Sequence, residues 1–172
     1  MRQVIGLIIG IILISSCGNN HNKYYLERID SLRFQLDVAI AEYNKVDTLV
    51  VTEIRNRVKT NCKSVRSDES PEVMSTFINY SHIDKSMKQI LKMDKRIKIE
   101  TALAKTQLDD LYHDASKDLM KEQDLKNNFR EEKRIVQILI DRMEYNTSHV
   151  AVEIHRFDSL NPIIEQHIIL RN

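Results

Sequence analysis

Residues 25–50 read YLERIDSLRFQLDVAIAEYNKVDTLV, with apolar members at Tyr25, Ile29, Leu32, Leu36, Ala39, Tyr43, Val46 and Val50. The steps between them run 4-3-4-3-4-3-4. That is the 3.5-residue repeat of a coiled-coil seam, which keeps one apolar line turned toward a partner helix. Leu26, Phe34, Val38, Ile40, Leu49 and Val51 lie outside the seam and broaden the stripe, as expected of a helix packed against two neighbours. Past Val50 the phase moves to Ile54 and Val58. Arg55, Arg57, Lys59 and Lys63 then crowd the end, where positive charge suits the helix dipole. The pattern predicts one helix over residues 24–61, about 57 Å long at 1.5 Å per residue.

Downstream, residues 64–70 are polar and aperiodic. Ser70-Pro71-Glu72 then reads as an N-cap, a proline at the first helical position and an acid in the first turn. Ser81 and Asp84 offer a second cap, so either a short helix ends near residue 80 or one helix runs through. The next seam is Ile83, Met87, Ile90, Ile97, Ala104, Leu108, Leu111 and Ala115, with Asp94 and Thr101 as polar interruptions. A polar seam residue lowers stability and can fix register or partner choice. The break to the last helix is expected at 122–128, where Asn127 and Asn128 can take the left-handed conformation of a helix exit. A turn at 113–116 competes with it. The last helix carries Phe129, Val136, Leu139, Met143, Val150, Ile154 and Phe157 and is expected to stop at Asn161-Pro162.

The residues therefore predict an all-α fold: an elongated antiparallel bundle of about three long helices, up-down-up, roughly 50–60 Å long with coiled-coil-like packing. The bundle is assigned to residues 24–161. Residues 162–172 form an apolar C-terminal tail, rich in isoleucine, that is expected to dock on the bundle or on a partner.

Composition agrees. The 172 residues carry 26 Lys and Arg against 25 Asp and Glu, a net charge of +1, with three glycines, two prolines and no tryptophan. Charge so balanced argues against nucleic acid as a partner. All three glycines (Gly6, Gly10 and Gly18) precede residue 19, so nothing downstream can form a P-loop, a dinucleotide loop or a glycine-assisted nucleophile turn.

The amino-terminal stretch reads differently. Met1-Arg2-Gln3 is followed by eleven residues from Val4 to Ile14 that carry no charge, then Ser15-Ser16-Cys17-Gly18. Such a stretch is shorter than the about 20 residues of a membrane-spanning helix and has the layout of a secretory signal peptide. Ile14-Ser15-Ser16-Cys17 resembles the lipobox of bacterial lipoproteins. The resemblance implies cleavage before Cys17, so that residues 1–16 are the signal peptide, with diacylglycerol on the Cys17 sulfur and usually an acylated new N-terminus. Residues 17–23 follow as the lipidated cysteine and a flexible tether. Gly18 stands where an inner-membrane retention signal would place Asp, so the expected address is the outer membrane, facing the periplasm. Cys62 is then the remaining thiol, read as a buried or half-buried small residue or as one half of an intermolecular disulfide.

No catalytic residue, metal site or cofactor is assigned. A carboxylate-bridged metal bundle needs Glu-x-x-His units, and the chain has none. Asp110 and His113, flanked by Asp109 and Asp114, and the His149–Glu153 pair are the nearest approaches, the first better read as a solvated helix face and the second as an exposed helical ion pair. The most suggestive surface feature is Lys85, Lys88, Lys92 and Lys95, spaced 3-4-3 along one face, with Asp84–Lys88 and Asp94–Lys98 expected as i,i+4 pairs. These lysines are the candidate partner-binding residues. The sequence leads to a non-catalytic, lipid-anchored interaction or scaffold module of the envelope, with a protein partner and with a homo-oligomer compatible. A periplasmic holdase-like protein needing a concave apolar surface is the alternative, and a metal-dependent enzyme comes last.

Overall fold

The computed structural model describes residues 20–64 and 70–170; the lipobox, Cys17 and the rest of 1–19 lie outside them. Four helices follow in order: α1 Asn20–Tyr43, α2 Thr48–Ser64, α3 Pro71–Ser116 and α4 Glu122–Ile169. No strand occurs among the described residues. The fold is an all-α bundle, and it is longer than the spacing predicts: the 46 residues of α3 span about 69 Å and the 48 of α4 about 72 Å.

α3 and α4 form an antiparallel hairpin, and α1 and α2 lie end to end along it as a broken third helix. Two apolar clusters record the arrangement. Tyr25, Ile29, Leu32 and Leu36 of α1 pack with Leu108 and Leu111 of α3 and Val136 and Leu139 of α4. Val51, Ile54 and Val58 of α2 pack with Ile83, Met87 and Ile90 of α3 and Phe157 and Ile164 of α4. Register is read from polar bridges. Asn22, Arg33, Asp37, Tyr43 and Arg55 climb α1 and α2 while their partners Asp118, Asp109, Lys105, Asp94 and Asp84 descend α3.

The single helix expected over 24–61 is instead two. α1 ends in a turn in which Lys45 N donates to Glu42 O at 3.1 Å and Val46 N to Tyr43 O at 3.0 Å. The Asp47 carboxylate then accepts from Leu49 N at 2.8 Å and Val50 N at 3.4 Å, which starts α2. The break slips the seam by one residue: Val51 is fully buried, whereas Val50 faces outward. Phe34, Val38 and Leu49, expected to broaden a packed stripe, are exposed.

At the other end of the hairpin, the turn occupies 117–121, between the two sites the sequence offered. Asp118, at φ 55°, takes the left-handed position expected of an asparagine, and its carboxylate also accepts from Asn22 Nδ2 at 2.9 Å. That bond buries Asn22, and α1 begins at Asn20, so residues 20–23 are helix rather than tether. The Ser70 cap appears as read, its hydroxyl accepting from Val73 N, and α3 then passes Ser81 and Asp84 without a break. α4 also continues through Asn161-Pro162 to Ile169 instead of stopping there. Ile164, fully buried, and the Arg57–Glu165 ion pair at 2.8 Å hold this last segment to α2. Ile163, Ile169 and Leu170 remain exposed, so the apolar tail docks only in part.

Candidate functional site

Lys85, Lys88, Lys92 and Lys95 all point outward from α3, on the side away from its core positions Ile83, Met87, Ile90 and Asp94. None of the four has a carboxylate partner among the described residues. The expected Asp84–Lys88 pair does not form, because α2 claims Asp84: Arg55 Nε lies 2.9 Å and Lys59 Nζ 4.0 Å from its Oδ1. Four unneutralised ammonium groups thus line one exposed face. One turn further along the same face stand two exposed apolar residues, Ile99 and Leu103.

The polar seam residue Asp94 is completed from within. Its Oδ1 accepts the Tyr43 hydroxyl at 3.1 Å, its Oδ2 accepts Lys98 Nζ at 2.8 Å, and Asn146 Nδ2 donates to the Tyr43 oxygen at 2.9 Å. The node takes one residue from each layer of the bundle and fixes their register. Burial pushes the Tyr43 phenol up to about 12; the Asn146 bond works against that shift, and the Asp94 charge adds to it. Thr101, the other interruption, keeps a buried Oγ1 without a hydrogen-bond partner.

A second node of the same design lies toward the far end. Tyr80 OH donates to Asn161 Oδ1 at 2.6 Å, while Asn61 Nδ2 donates to both, at 3.0 and 3.1 Å. Burial is again the main reason that the Tyr80 phenol rises to about 12. Cys62, half-buried beside this node, has its thiol pushed up first by burial and then by the Asp84 charge, which disfavours the reactive thiolate.

The carboxylate and imidazole groups do not assemble. Asp109 is held by Arg33 at 2.6 Å, and Asp110 and His113 are exposed. Glu153 is not the exposed partner of His149 that the spacing predicts. It is buried, with Arg156 Nη1 at 2.9 Å and His149 Nε2 at 3.6 Å. Among the described residues, no three His, Cys, Asp or Glu side chains are grouped so as to hold a metal ion, and no helix is long and apolar enough to cross a membrane.

A concave surface that sequence reading missed lies where α1 gives way to α2. It is a groove of about 810 Å³ between α1 and α4, walled by Phe34, Val38, Ala39, Ile140 and Met143. Glu42, Lys45 and Glu144 stand at its rim, and Tyr43 reaches it from the buried node. The signal was present as the i,i+4 pair Phe34 and Val38 outside the seam, but only their exposure in the fold shows that no helix covers them. Comparison with family models, with curated proteins and with solved structures finds no match to this chain.

Proposed function

We propose that this chain is a lipid-anchored, non-catalytic component of the bacterial cell envelope, a helical rod that works by contact with protein. The observation that carries the reading is the outward face of α3, where Lys85, Lys88, Lys92 and Lys95 stand exposed and unneutralised. The polar seam, by contrast, is satisfied internally at Asp94, so the bundle needs no partner to complete its core. The anchor is Cys17, from its resemblance to a lipobox, and the address is the outer membrane with the rod in the periplasm. Cys17 lies three residues before Asn20, and Asn22 bonds to Asp118 in the 117–121 turn. For a rod standing on that anchor, the lysines sit about 30–45 Å along α3 from the turn. That is several Debye lengths from the anchoring membrane, which favours a protein over its lipid headgroups as their contact.

The experiment has two arms. Radiolabelled palmitate is incorporated by the wild type and lost in Cys17→Ser, which also leaves the membrane fraction; equal labelling of both overturns the anchor. Photocrosslinkers at positions 85, 88, 92 and 95 capture a defined envelope protein, and clean monomer from all four positions overturns the contact face.

The groove favours a second reading, that of a holdase-like protein. Its apolar walls supply the concave surface that such a function requires.

A further inference from the structure

We infer that the partner of the groove is a second copy of this chain, and that copies pack side by side with Ile99 and Leu103 of one seated between α1 and α4 of the next. The inference deepens the contact-protein reading and rests on it only for the shared upright orientation of the copies.

Three observations carry it. The first is height. Asp37 is level with Lys105 through a 2.7 Å ion pair, and Tyr43 is level with Asp94 through a 3.1 Å hydrogen bond. Ile99 and Leu103 therefore lie on α3 between the levels of Asp37 and Tyr43. Those are the levels of the groove residues Val38, Ala39 and Glu42. Copies anchored at the same end on one membrane would present apolar knob and apolar groove at the same distance from it.

The second is placement around the rod. The groove is lined by α1, α4 and the first residues of the break, and by no residue of α3. Ile99 and Leu103, 64% and 58% exposed, point out from the opposite side of the bundle. Knob and groove on opposite sides make a heterologous contact, each copy giving with one face and receiving with the other. A rotation that does not close then yields a row.

The third is charge. Lys95 stands one turn from Ile99, at the level of Asp94 and hence of Tyr43 and Asn146. Glu144, exposed at the groove rim two residues before Asn146, has no ion-pair partner among the described residues. Seating Ile99 and Leu103 in the groove would bring the unpaired ammonium of one copy to the unpaired carboxylate of the next. Complementary charge of this kind selects partner and register.

The test uses the full-length chain in membranes, in a Cys62→Ser background. The double variant Val38→Cys/Leu103→Cys, oxidised in the membrane, gives a ladder of dimer, trimer and higher species, because each copy offers both halves of the contact. Val38→Cys and Leu103→Cys co-expressed on separate chains stop at dimer, and each alone gives monomer. Lys95→Glu lowers crosslinking about tenfold, and Glu144→Lys in the same chain restores it. Val38, Lys95, Leu103 and Glu144 are all exposed, so their substitution keeps the core intact, and Cys62→Ser, at a half-buried position, is common to every variant compared. The inference is overturned by a ladder no stronger than that of a control pair away from the groove, or by dimers from Leu103→Cys alone. It is also overturned if mass spectrometry joins these positions to a different protein, an outcome that leaves the contact-protein reading standing. Conversely, a ladder that persists while the wild type and Cys17→Ser take up palmitate equally would remove the anchor reading and not this one.

Discussion

The Tyr43 hydroxyl donates to the Asp94 carboxylate across 3.1 Å, and this bond ties the last residue of α1 to the middle of α3. The same oxygen accepts from Asn146, so a single atom joins all three layers at the point where α1 gives way to α2. Tyr43→Phe keeps the ring in place and removes that oxygen. It leaves a buried amide donor without its acceptor and takes one of two bonds from a buried carboxylate. The expected cost is about 1–3 kcal/mol, seen as a lower urea midpoint at unchanged slope. A change below experimental error would mean that Asp94 and Asn146 find water instead.

The two buried phenols make stability depend on pH at the alkaline end. Tyr43 and Tyr80 each titrate at about 12 in the fold, against an ordinary value of 10.0. Both hold their proton more tightly folded than unfolded, so their contribution is complete below pH 10 and is lost as pH rises toward 12. Phenolate absorbance should therefore show a late step near pH 12, coincident with loss of helix by circular dichroism. Tyr43→Phe and Tyr80→Phe should each remove part of that step. A late step unchanged in both variants would assign it to other groups.

What was legible in the sequence was the seam, and what was hidden was where the seam is interrupted. Ile29, Leu32, Leu36, Ile83, Met87, Leu108, Leu139 and Met143 are all core residues, because a 3.5-residue apolar repeat has no other stable use. The break at 44–47 was invisible because Val46 and Val50 continue the spacing, while the residue that starts α2 is Asp47, whose capping bonds leave no periodic trace. General conformational preference favours Asn127 and Asn128 over Asp118 for the left-handed position, and the bond from Asn22 that Asp118 accepts there leaves no mark in the spacing. Lys85, Lys88, Lys92 and Lys95 share one exposed face, as their 3-4-3 spacing requires. Their lack of neutralisation is hidden in the sequence, because Asp84 lies at i,i+4 from Lys88 in sequence and against Arg55 in space. The groove left only Phe34 and Val38 as its trace, because sequence spacing does not say which residues of α4 stand beside them.

Leu36 and Leu139 test the first cluster directly. Their side chains are almost completely buried, on α1 and α4. Truncation to alanine removes apolar contact and leaves a cavity that helices pinned by Tyr43 and Asn22 cannot easily close. Each substitution should cost about 2–5 kcal/mol in a denaturant titration. Phe34→Ala, on the same helix but 70% exposed, should stay within about 0.5 kcal/mol of the wild type. Equal losses at Leu36 and Phe34 would place α1 in a different rotation.

Pro162 is the least expected residue in the fold, since α4 continues for seven residues beyond it. A proline inside a helix removes one backbone donor and crowds the carbonyl four residues earlier, a penalty of about 3 kcal/mol when nothing offsets it. Here the helix is held on both sides: Asn161 is locked to Tyr80 and Asn61, and Ile164 is buried in the second cluster. Pro162→Ala should therefore restore a donor to the Asp158 carbonyl without disturbing those contacts. Stability should rise by about 1–3 kcal/mol, less whatever entropy the proline had removed from the unfolded chain. Pro71 is the internal control. It sits at the first turn of α3, where its missing N–H has no intrahelical partner to lose, so Pro71→Ala should gain little or nothing. If Pro162→Ala lowers stability instead, the chain leaves the helix at Asn161, and Ile164 reaches the core by another path.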